Sequence, residues 1–413
     1  MLSIRSSIHG SSVLSIGCSD FLSTVRFEAA LDALQEWLPQ QTDRSLFGWI
    51  ATQVCHDDAF AILVAAHHPF LRLLGITTVH GNASLQNTTV NATRILEAIG
   101  RPEIPVYPGR RKPFCRPAIY APNIHGDSGI EGTDLLPVAT RAPITDRNPI
   151  LAMRDALLAE PKGTPWVVAT GTLTNVALLF ATFPEVAEHI QGLSIMGGGV
   201  GEGFSDAPIS RIDGQETRIG NVTPLAEFNI YCDPEASQSI FSHPILASKT
   251  TLIPLDLTHQ VLASRDVQSR ILHGIGDPSV PPTVLRQMLF DLLVFFSSTY
   301  ESVFGLTNGP PLHDPLAVAV VLSTLNPTFA KQHPGQALIF DDRDGERFTV
   351  DVVTDGLHGT DAELTGALGQ SRITPTEQGV AIPRGVDLEA FWNLILECLQ
   401  RADDCNAARQ KAA

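Results

Sequence analysis

The chain has 413 residues, 44% of them hydrophobic and 17% charged, which is too apolar for a disordered protein and sufficient for a large core. Its 28 basic and 44 acidic residues give a net charge of −16 at pH 7. Because this charge repels nucleic acid and anionic lipid, we expect neither nucleic acid nor membrane as a partner, and a neutral small molecule or a metal cation is favoured.

The first 46 residues predict a loose N-terminal extension. The first nineteen residues contain seven serines, and no acid precedes Asp20. This composition leaves a mitochondrial transit peptide as an alternative, whereas a continuous apolar segment of the secretory type is absent. The six cysteines form no CxxC pair, which is typical of proteins in a reducing compartment. We therefore expect a cytoplasmic protein.

From residue 47 onward, short β-rich segments alternate with helical segments. The sequence predicts strands at residues 47–54, 74–79, 166–170, 193–196, 251–257, 337–340 and 348–353. It predicts helices at residues 57–67, 88–99, 175–181, 234–241, 282–300, 314–325 and 388–401. This alternation indicates an α/β fold with a largely parallel sheet that is covered by helices on both faces. Residues 201–220, rich in Gly, Ser and Asp, predict a surface insertion.

Polar residues follow most of the predicted strands, and this is the edge at which open parallel sheets bind ligands. The polar segments are His56-Asp57-Asp58, His80-Gly81-Asn82, Thr170-Gly171-Thr172, Gly197-Gly198-Gly199 and Asp256-Leu257-Thr258-His259. Taken singly, such motifs have structural explanations, because acids complement the dipole at the start of a helix and Pro315 suits a first helical turn after His313-Asp314. The glycines match no nucleotide-phosphate fingerprint, which disfavours a dinucleotide enzyme.

Taken together, the motifs resemble those of the nucleoside hydrolase family, of the inosine–uridine-preferring kind. The matching segments are residues 56–62, 75–82 with 91–92, 124–129, 170–175, 196–199, 221 with 226–229 and 233–236, 256–258, and 313–315. Their order and spacing cover roughly residues 55–400, and the segment at 201–220 resembles the fungal branch of the family.

The resemblance implies a single α/β domain over residues 47–413, with a mostly parallel, Rossmann-like open sheet flanked by helices. It also implies hydrolysis of the N-glycosidic bond of purine or pyrimidine ribonucleosides to free base and ribose, by means of a calcium-bound water. It implies that Asp58, Asp314 and the backbone carbonyl of Thr170 bind the calcium ion. These ligand types suit Ca²⁺, which takes about six to eight oxygen ligands. The family also implies a homo-oligomer.

The remaining site residues follow from the same resemblance. The positions that match ribose contacts are Asp57, Asn82, Asn221, Glu227 and Asn229, and those that match the pocket lining are His125, Met196 and Phe228. His313 matches the general acid of the family branch that uses a histidine. With Asp57 and Asn82, it is a candidate catalytic residue. A histidine with a pKa near neutrality can protonate a leaving base.

One segment departs from the family pattern. The family motif is Asp-x-Asp-Pro-Gly-x-Asp-Asp, and residues 51–58 here are Ala-Thr-Gln-Val-Cys-His-Asp-Asp. Gln53 takes the position that in the family binds calcium and accepts the proton of the nucleophilic water, and an amide offers the oxygen but not the base. A diverged enzyme and a mis-joined N-terminal exon both explain this change. Two functions remain open: a calcium-dependent hydrolase, and a catalytically impaired protein that binds ribonucleoside or ribose.

Overall fold

The computed structural model describes residues 46–274, 279–325, 338–358 and 366–412. The strands in these residues are β1 (Leu46–Thr52), β2 (Leu71–Thr78), β3 (Val106–Pro108), β4 (Pro165–Ala169), β5 (Gly192–Met196), β6 (Thr250–Ile253), β7 (Phe340–Asp341), β8 (Arg347–Val352), β9 (Ser371–Thr376), β10 (Val380–Ala381) and β11 (Gly385–Val386). Within the described residues, β7 pairs with β11, and the other strands form one sheet in the order β3-β2-β1-β4-β5-β6-β10-β8-β9.

The sheet is mostly parallel, as predicted. Strand β1 lies between β2 and β4 and runs parallel to both. The parallel part continues through β5, β6 and β10, and only β8 and β9 run antiparallel to their neighbours. The carboxyl ends of β1, β2, β4, β5 and β6 therefore lie along one edge of the sheet, where polar side chains can meet.

Helices connect the parallel strands. They are α1 (Asp58–His67), α2 (Leu85–Ala98), α3 (Pro122–His125), α4 (Pro149–Ala159), α5 (Thr174–Thr182), α6 (Glu185–His189), α7 (Phe228–Cys232), α8 (Pro234–Phe241), α9 (Pro244–Lys249), α10 (Leu255–Thr258), α11 (Arg265–His273), α12 (Val284–Phe304), α13 (Asp314–Leu322) and α14 (Leu388–Ala412). None of the described helices is both long enough and apolar enough to cross a membrane.

Two hydrophobic cores cover the two faces of the sheet, because successive side chains of a strand point to opposite faces. Ile50 of β1 packs into the core that contains α1, α13 and α14. Its neighbours Trp49 and Ala51 pack into the other core, which contains α4 and α5. The continuously apolar strands that indicated a parallel sheet are thus buried on both sides.

Several predicted boundaries were wrong. The strand predicted at 251–257 ends at Ile253, because Pro254 has no N–H to donate and instead precedes α10. The helix predicted from 282 begins at Val284, after the Thr283 side chain accepts a hydrogen bond from the Arg286 N–H. Helix α4 was not predicted, although Asn148 caps it and Pro149 occupies its first turn.

Three predictions concern segments at or beyond the limits of the described residues. Residues 1–45 of the predicted extension lie outside them, as does residue 337 of the strand predicted at 337–340, of which Phe340 belongs to β7. Residues 201–220 are described and contain no helix or strand. They are nevertheless anchored, because Phe204 packs edge-on against Phe348 with the ring centroids 5.9 Å apart. That they form an insertion stays a prediction.

Candidate active site

A cavity of about 160 Å³ lies at the carboxyl ends of β1, β2, β4 and β5. Every candidate site residue except Asp58 lines it: Gln53, Asp57, Asn82, His125, Thr170, Met196, Asn221, Glu227, Phe228, Asn229, His313 and Asp314. Asp58 is fully buried at the start of α1, directly behind this lining. The fold therefore brings together segments that are up to 261 residues apart in the sequence, from Gln53 to Asp314.

The floor of the cavity is a carboxylate cluster. Asp57, Asp58, Asp314 and the thiol of Cys55 each place one potential ligand atom within 4.8 Å of the others. The Asp58 carboxylate is held by the Thr170 hydroxyl, which donates at 2.7 Å, by the backbone N–H of Cys55 at 2.8 Å, and by the Thr52 hydroxyl. Thr170 thus contacts the cluster through its hydroxyl group, in addition to lining the cavity.

The cluster contains three buried carboxyl groups close together. Asp57 accepts hydrogen bonds from the backbone N–H groups of His313 and Asp314 at 3.1 and 3.3 Å. Burial, and then the negative charge of Asp58, raise the pKa of Asp57 to about 6. Burial and the neighbouring carboxylates raise the pKa of Asp314 well above its usual value. No Lys or Arg is among the described residues that line the cavity, so the cluster fits a divalent cation, which prefers carboxylate oxygens.

Gln53 is held by two of the candidate ribose contacts. Its amide nitrogen donates to the side-chain oxygens of Asn82, at 3.1 Å, and of Asn229. Its amide oxygen accepts from the Asn82 backbone N–H at 3.3 Å. Gly81 makes room for this amide, because a Cβ at its position would overlap the Gln53 oxygen. Gln53 therefore orients the two asparagine amides at the edge of the cavity.

Glu227 caps α7 from within the cavity wall. Its carboxylate accepts from the backbone N–H groups of Asn229, Ile230 and Gly198 at 2.9 to 3.1 Å. Burial outweighs these bonds and raises the pKa of Glu227 to about 7. Asn229 in turn donates to the backbone carbonyl of Met196 at 3.1 Å. The helix start therefore fixes three of the predicted pocket residues relative to one another.

We expect Glu227 to make the folded chain less stable as the pH rises. Its pKa is about 7 in the folded chain and 4.5 in the absence of burial, so the unfolded chain loses this proton first. Glu227 alone should therefore lower the free energy of unfolding by about 3 kcal/mol between pH 4.5 and pH 7. In urea unfolding across this range, the free energy of unfolding of Glu227→Gln should fall less steeply with pH than that of the parent. Glu185→Gln, a change at an exposed position, should show the same pH dependence of unfolding as the parent. The same pH dependence in Glu227→Gln would contradict the predicted effect of Glu227 on stability.

His313 lies between two hydroxyl groups. Its Nε2 atom is 2.7 Å from the Tyr300 hydroxyl oxygen and its Nδ1 atom is 2.7 Å from the Thr258 hydroxyl oxygen. Burial lowers the pKa of His313 well below its usual value, so the ring is neutral near pH 7. A neutral ring with a hydroxyl on each side can exchange protons in both directions without charging the buried site.

Tyr300 is the main site residue that the sequence did not predict. It lies on α12 with Phe296, Val303 and Phe304, all of which line the cavity. These residues lie four positions before Tyr300 and three and four positions after it, so they share one face of the helix, and such an aromatic face ordinarily predicts core packing. The sequence therefore contains an aromatic face on this helix, but such a face does not distinguish a cavity wall from a hydrophobic core.

His125 is oriented by a second histidine. The Nδ1 atoms of His125 and His56 are 3.3 Å apart, and His56 Nε2 is 2.7 Å from the Glu131 carbonyl oxygen. The His56 ring stacks on Phe295 and Phe296 with centroid distances of 5.1 and 5.3 Å. Burial lowers the pKa of His56 to about 4. His125 thus enters the cavity wall as part of a packed aromatic group.

The chain is similar to known proteins over most of its length. A sequence profile of the inosine-uridine preferring nucleoside hydrolases matches residues 49–393, including Gln53. The chain is 35% identical over 360 residues to a uridine nucleosidase of Saccharomyces cerevisiae, covering 86% of this chain and 96% of that protein. It is 32% identical over 365 residues to a probable ribonucleoside hydrolase of Dictyostelium discoideum, covering 86% and 94%.

The fold is also that of solved structures. A plant nucleoside hydrolase superposes with a TM-score of 0.65 at 25% identity and covers 86% of this chain and 99% of its own. The match in fold, the profile match over most of the chain and the sequence relatives agree with the motifs around the cavity. The chain belongs to the inosine-uridine preferring nucleoside hydrolase family, a family of N-glycosyl hydrolases.

Proposed function

We propose that the chain hydrolyses the N-glycosidic bond of ribonucleosides of the uridine or inosine type, with calcium as its cofactor. The observation that carries the proposal is the convergence on one cavity of the carboxylates of Asp57 and Asp314, the amides of Asn82 and Asn229, and the imidazole of His313. These are the groups needed to hold a cation, a ribose and a leaving base together. The names of the relatives in yeast and Dictyostelium agree with this substrate class.

Asp58 and Asp314, with Thr170 beside them, are the residues that would hold the calcium ion. The buried carboxylates supply the oxygen donors that Ca²⁺ prefers. A bound calcium ion supplies a Lewis acid that makes a water molecule more nucleophilic and orients ribose hydroxyls. The hydrogen bonds from Thr170, Thr52 and Cys55 keep the Asp58 carboxylate in place for this purpose.

The amide and carboxylate groups on the cavity wall are suited to a ribose. Asp57, Asn82, Asn229 and Glu227 offer donors and acceptors to neighbouring hydroxyl groups. Loss of the base leaves positive charge on the sugar, and the nearby carboxylate and amide oxygens stabilise this charge. Asn221, whose side-chain oxygen accepts from the Phe228 N–H at 2.8 Å, holds Phe228 at the mouth of the same cavity.

His313 and Tyr300 are suited to protonate the leaving base. Both line the cavity, and the 2.7 Å separation of His313 Nε2 and the Tyr300 hydroxyl oxygen allows a proton to pass between them. Protonation of the base consumes one net proton, which must enter from solvent and convert the ring to an imidazolium. The Tyr300 hydroxyl can then give its own proton to the base while it accepts the Nε2 proton of His313, which returns the ring to its neutral form. His313 and Tyr300 are already in hydrogen-bond contact, and general acid catalysis further requires that the Tyr300 hydroxyl reach the leaving base.

The second candidate function is a ribonucleoside- or ribose-binding protein without turnover. Gln53 favours this second function, because the residue is neutral and its amide is hydrogen-bonded to Asn82 and Asn229. Release of reducing sugar from uridine and inosine tests turnover, and isothermal titration with ribose and uridine tests binding. Sugar release supports the hydrolase, and binding without release supports the second function.

We expect Gln53→Asp to raise kcat by at least about tenfold, because a positioned base contributes about 10²–10⁴-fold. The shorter carboxylate gives up the bonds to Asn82 and Asn229 and adds a negative charge and a proton acceptor beside Asp58. Steady-state release of ribose from uridine measures the effect. Gln53→Asn is the matched control, because it has the length of Asp without its charge. A gain in both variants, or in neither, would contradict a missing base.

We also propose that the protein acts in the cytoplasm, as a homo-oligomer. Four asparagines lie in Asn-x-Ser/Thr sequons: Asn82, Asn87, Asn91 and Asn221. Asn82 and Asn91 are buried, and Asn91 donates to the backbone carbonyls of Val54 and Ser128. Glycans on these side chains are incompatible with the fold, which argues against passage through the secretory pathway.

A further inference from the structure

Cys55 places a thiol among the carboxylates of the proposed calcium site. Its side chain is buried, is not in a disulfide, and donates to Asp57 Oδ1 from 3.2 Å. Its sulfur lies within 4.8 Å of one oxygen from each of Asp57, Asp58 and Asp314. Two ligands on opposite sides of an ion with bonds of about 2.4 Å are separated by about this distance, so one ion can contact all four side chains.

The Asp314 carboxylate gives an independent indication that the cluster holds a cation. Its residue is 4% exposed, and in the described part of the chain no N–H or O–H group donates a hydrogen bond to its side-chain oxygens. The carboxylates of Asp57 and Asp58 each place an oxygen within 4.8 Å of it. A buried carboxylate that faces another carboxylate is unfavourable unless a proton or a cation lies between them.

The cluster combines carboxylate oxygens with a thiol sulfur as possible metal ligands. Carboxylate oxygens alone favour hard cations such as Ca²⁺, whereas a thiolate selects softer ions, including Zn²⁺ and the ions that resemble it. Because Asp57 and Asp314 line the cavity, an ion can reach the cluster from solvent along the path that we propose for calcium. Cys55 then contacts that ion from the buried side.

We propose that Cys55 makes this cluster a binding site for thiophilic divalent cations of the Zn²⁺ and Cd²⁺ type, which displace calcium and block the cavity floor. The inference rests on the proposed function, because calcium and the thiophilic cation bind to the same carboxylates. When the thiophilic ion binds, the Cys55 S–H bond breaks, its proton passes to solvent, and the sulfur electron pair forms the bond to the metal. No oxidation or reduction takes place.

Cadmium titration of the full chain tests the proposal directly. One equivalent of Cd²⁺, added to calcium-loaded protein, should release the bound calcium and produce a thiolate-to-cadmium charge-transfer absorption in the ultraviolet. Cys55→Ser should lose this absorption and weaken Cd²⁺ binding by about 100-fold or more, since even loss of a supporting group commonly costs 10–100-fold in metal affinity. Its calcium affinity should change by less than about tenfold, because the carboxylates remain.

Cys115→Ser is the matched control, because Cys115 is an exposed free cysteine away from the cluster. It should keep the charge-transfer absorption and the displacement of calcium at one equivalent. Absence of the absorption in the parent, retention of calcium in the presence of Cd²⁺, or loss of the absorption in Cys115→Ser with retention in Cys55→Ser would each overturn the proposal. The measurement on the parent remains decisive if Cys55→Ser fails to fold.

The outcome separates this inference from the proposed hydrolysis. Ribose release with calcium but no cadmium–thiolate absorption overturns the inference alone. The absorption without ribose release supports the inference and overturns the proposed hydrolysis. A parent chain that binds neither calcium nor cadmium overturns both the inference and the assigned cofactor.

Discussion

Asp314→Asn should abolish stoichiometric calcium binding and reduce ribose release from uridine to the background rate. Asp314 lies at the start of α13 and supplies one of the buried carboxylates of the cluster. Replacing it with a neutral amide removes charge from the cation site without changing side-chain size. Elemental analysis of protein dialysed against calcium measures the stoichiometry. Asp256→Asn is the matched control, since Asp256 is a buried acid bonded to the Val200 and Gly201 N–H groups.

Chelation should reverse the order of stability of the parent and this variant. Without a cation, Asp57, Asp58 and Asp314 repel one another, so Asp314→Asn should unfold at a temperature at least as high as the parent in a chelator. With calcium, the parent should be the more stable, because ligand binding stabilises the folded state. Calcium retained at one equivalent by Asp314→Asn, or a parent that never binds calcium, would exclude this cluster as the site.

His313→Ala should lower kcat on uridine by about 10²–10⁴-fold, the usual contribution of general acid catalysis. The effect on p-nitrophenyl riboside should be much smaller, because its leaving group departs without protonation. Steady-state kinetics on the two substrates measure the difference. Loss of the ring also removes the contacts to Tyr300 and Thr258, so circular dichroism should first establish that the variant is folded.

Tyr300→Phe separates proton transfer from packing in the same pair. It keeps the aromatic ring against Phe296, whose centroid is 4.8 Å away, and removes the hydroxyl group that contacts His313. We expect a smaller loss than in His313→Ala, with the same preference for uridine over the nitrophenyl substrate. Equal losses on the two substrates in His313→Ala would show that this histidine positions the sugar or the cation and does not protonate the base.

The central fold could be predicted because its strands are mostly apolar and each is followed by a polar segment. Strands β1, β2, β4 and β5 all lie at predicted positions, and their carboxyl ends form the cavity floor. Strand β9, which has six residues and contains Pro375, was not predicted. Strands β3, β10 and β11 were not predicted either, because they have only three, two and two residues. Pairing with neighbours in the sheet, and not local sequence, determines strands this short.

The sequence predicted which residues lie together at the site, but it did not predict how these residues contact one another. The motif matches gave twelve residues that line one cavity, with Asp58 buried beside them. No sequence motif indicated that Gln53 would bond to Asn82 and Asn229, because those contacts join residues 29 and 176 positions apart. Nor did it connect Tyr300 to His313, since a tyrosine on an aromatic helix face ordinarily belongs to a core.

The proposed calcium-dependent hydrolysis is tested by counting the ribose molecules that each molecule of this chain releases from uridine in the presence and absence of calcium. We predict many turnovers with calcium, none after a chelator removes it, and recovery when calcium is restored, with uracil and ribose formed in equal amounts. Uridine that binds in the cavity and remains intact in the presence of calcium would contradict the account and identify the chain as a ribonucleoside-binding protein.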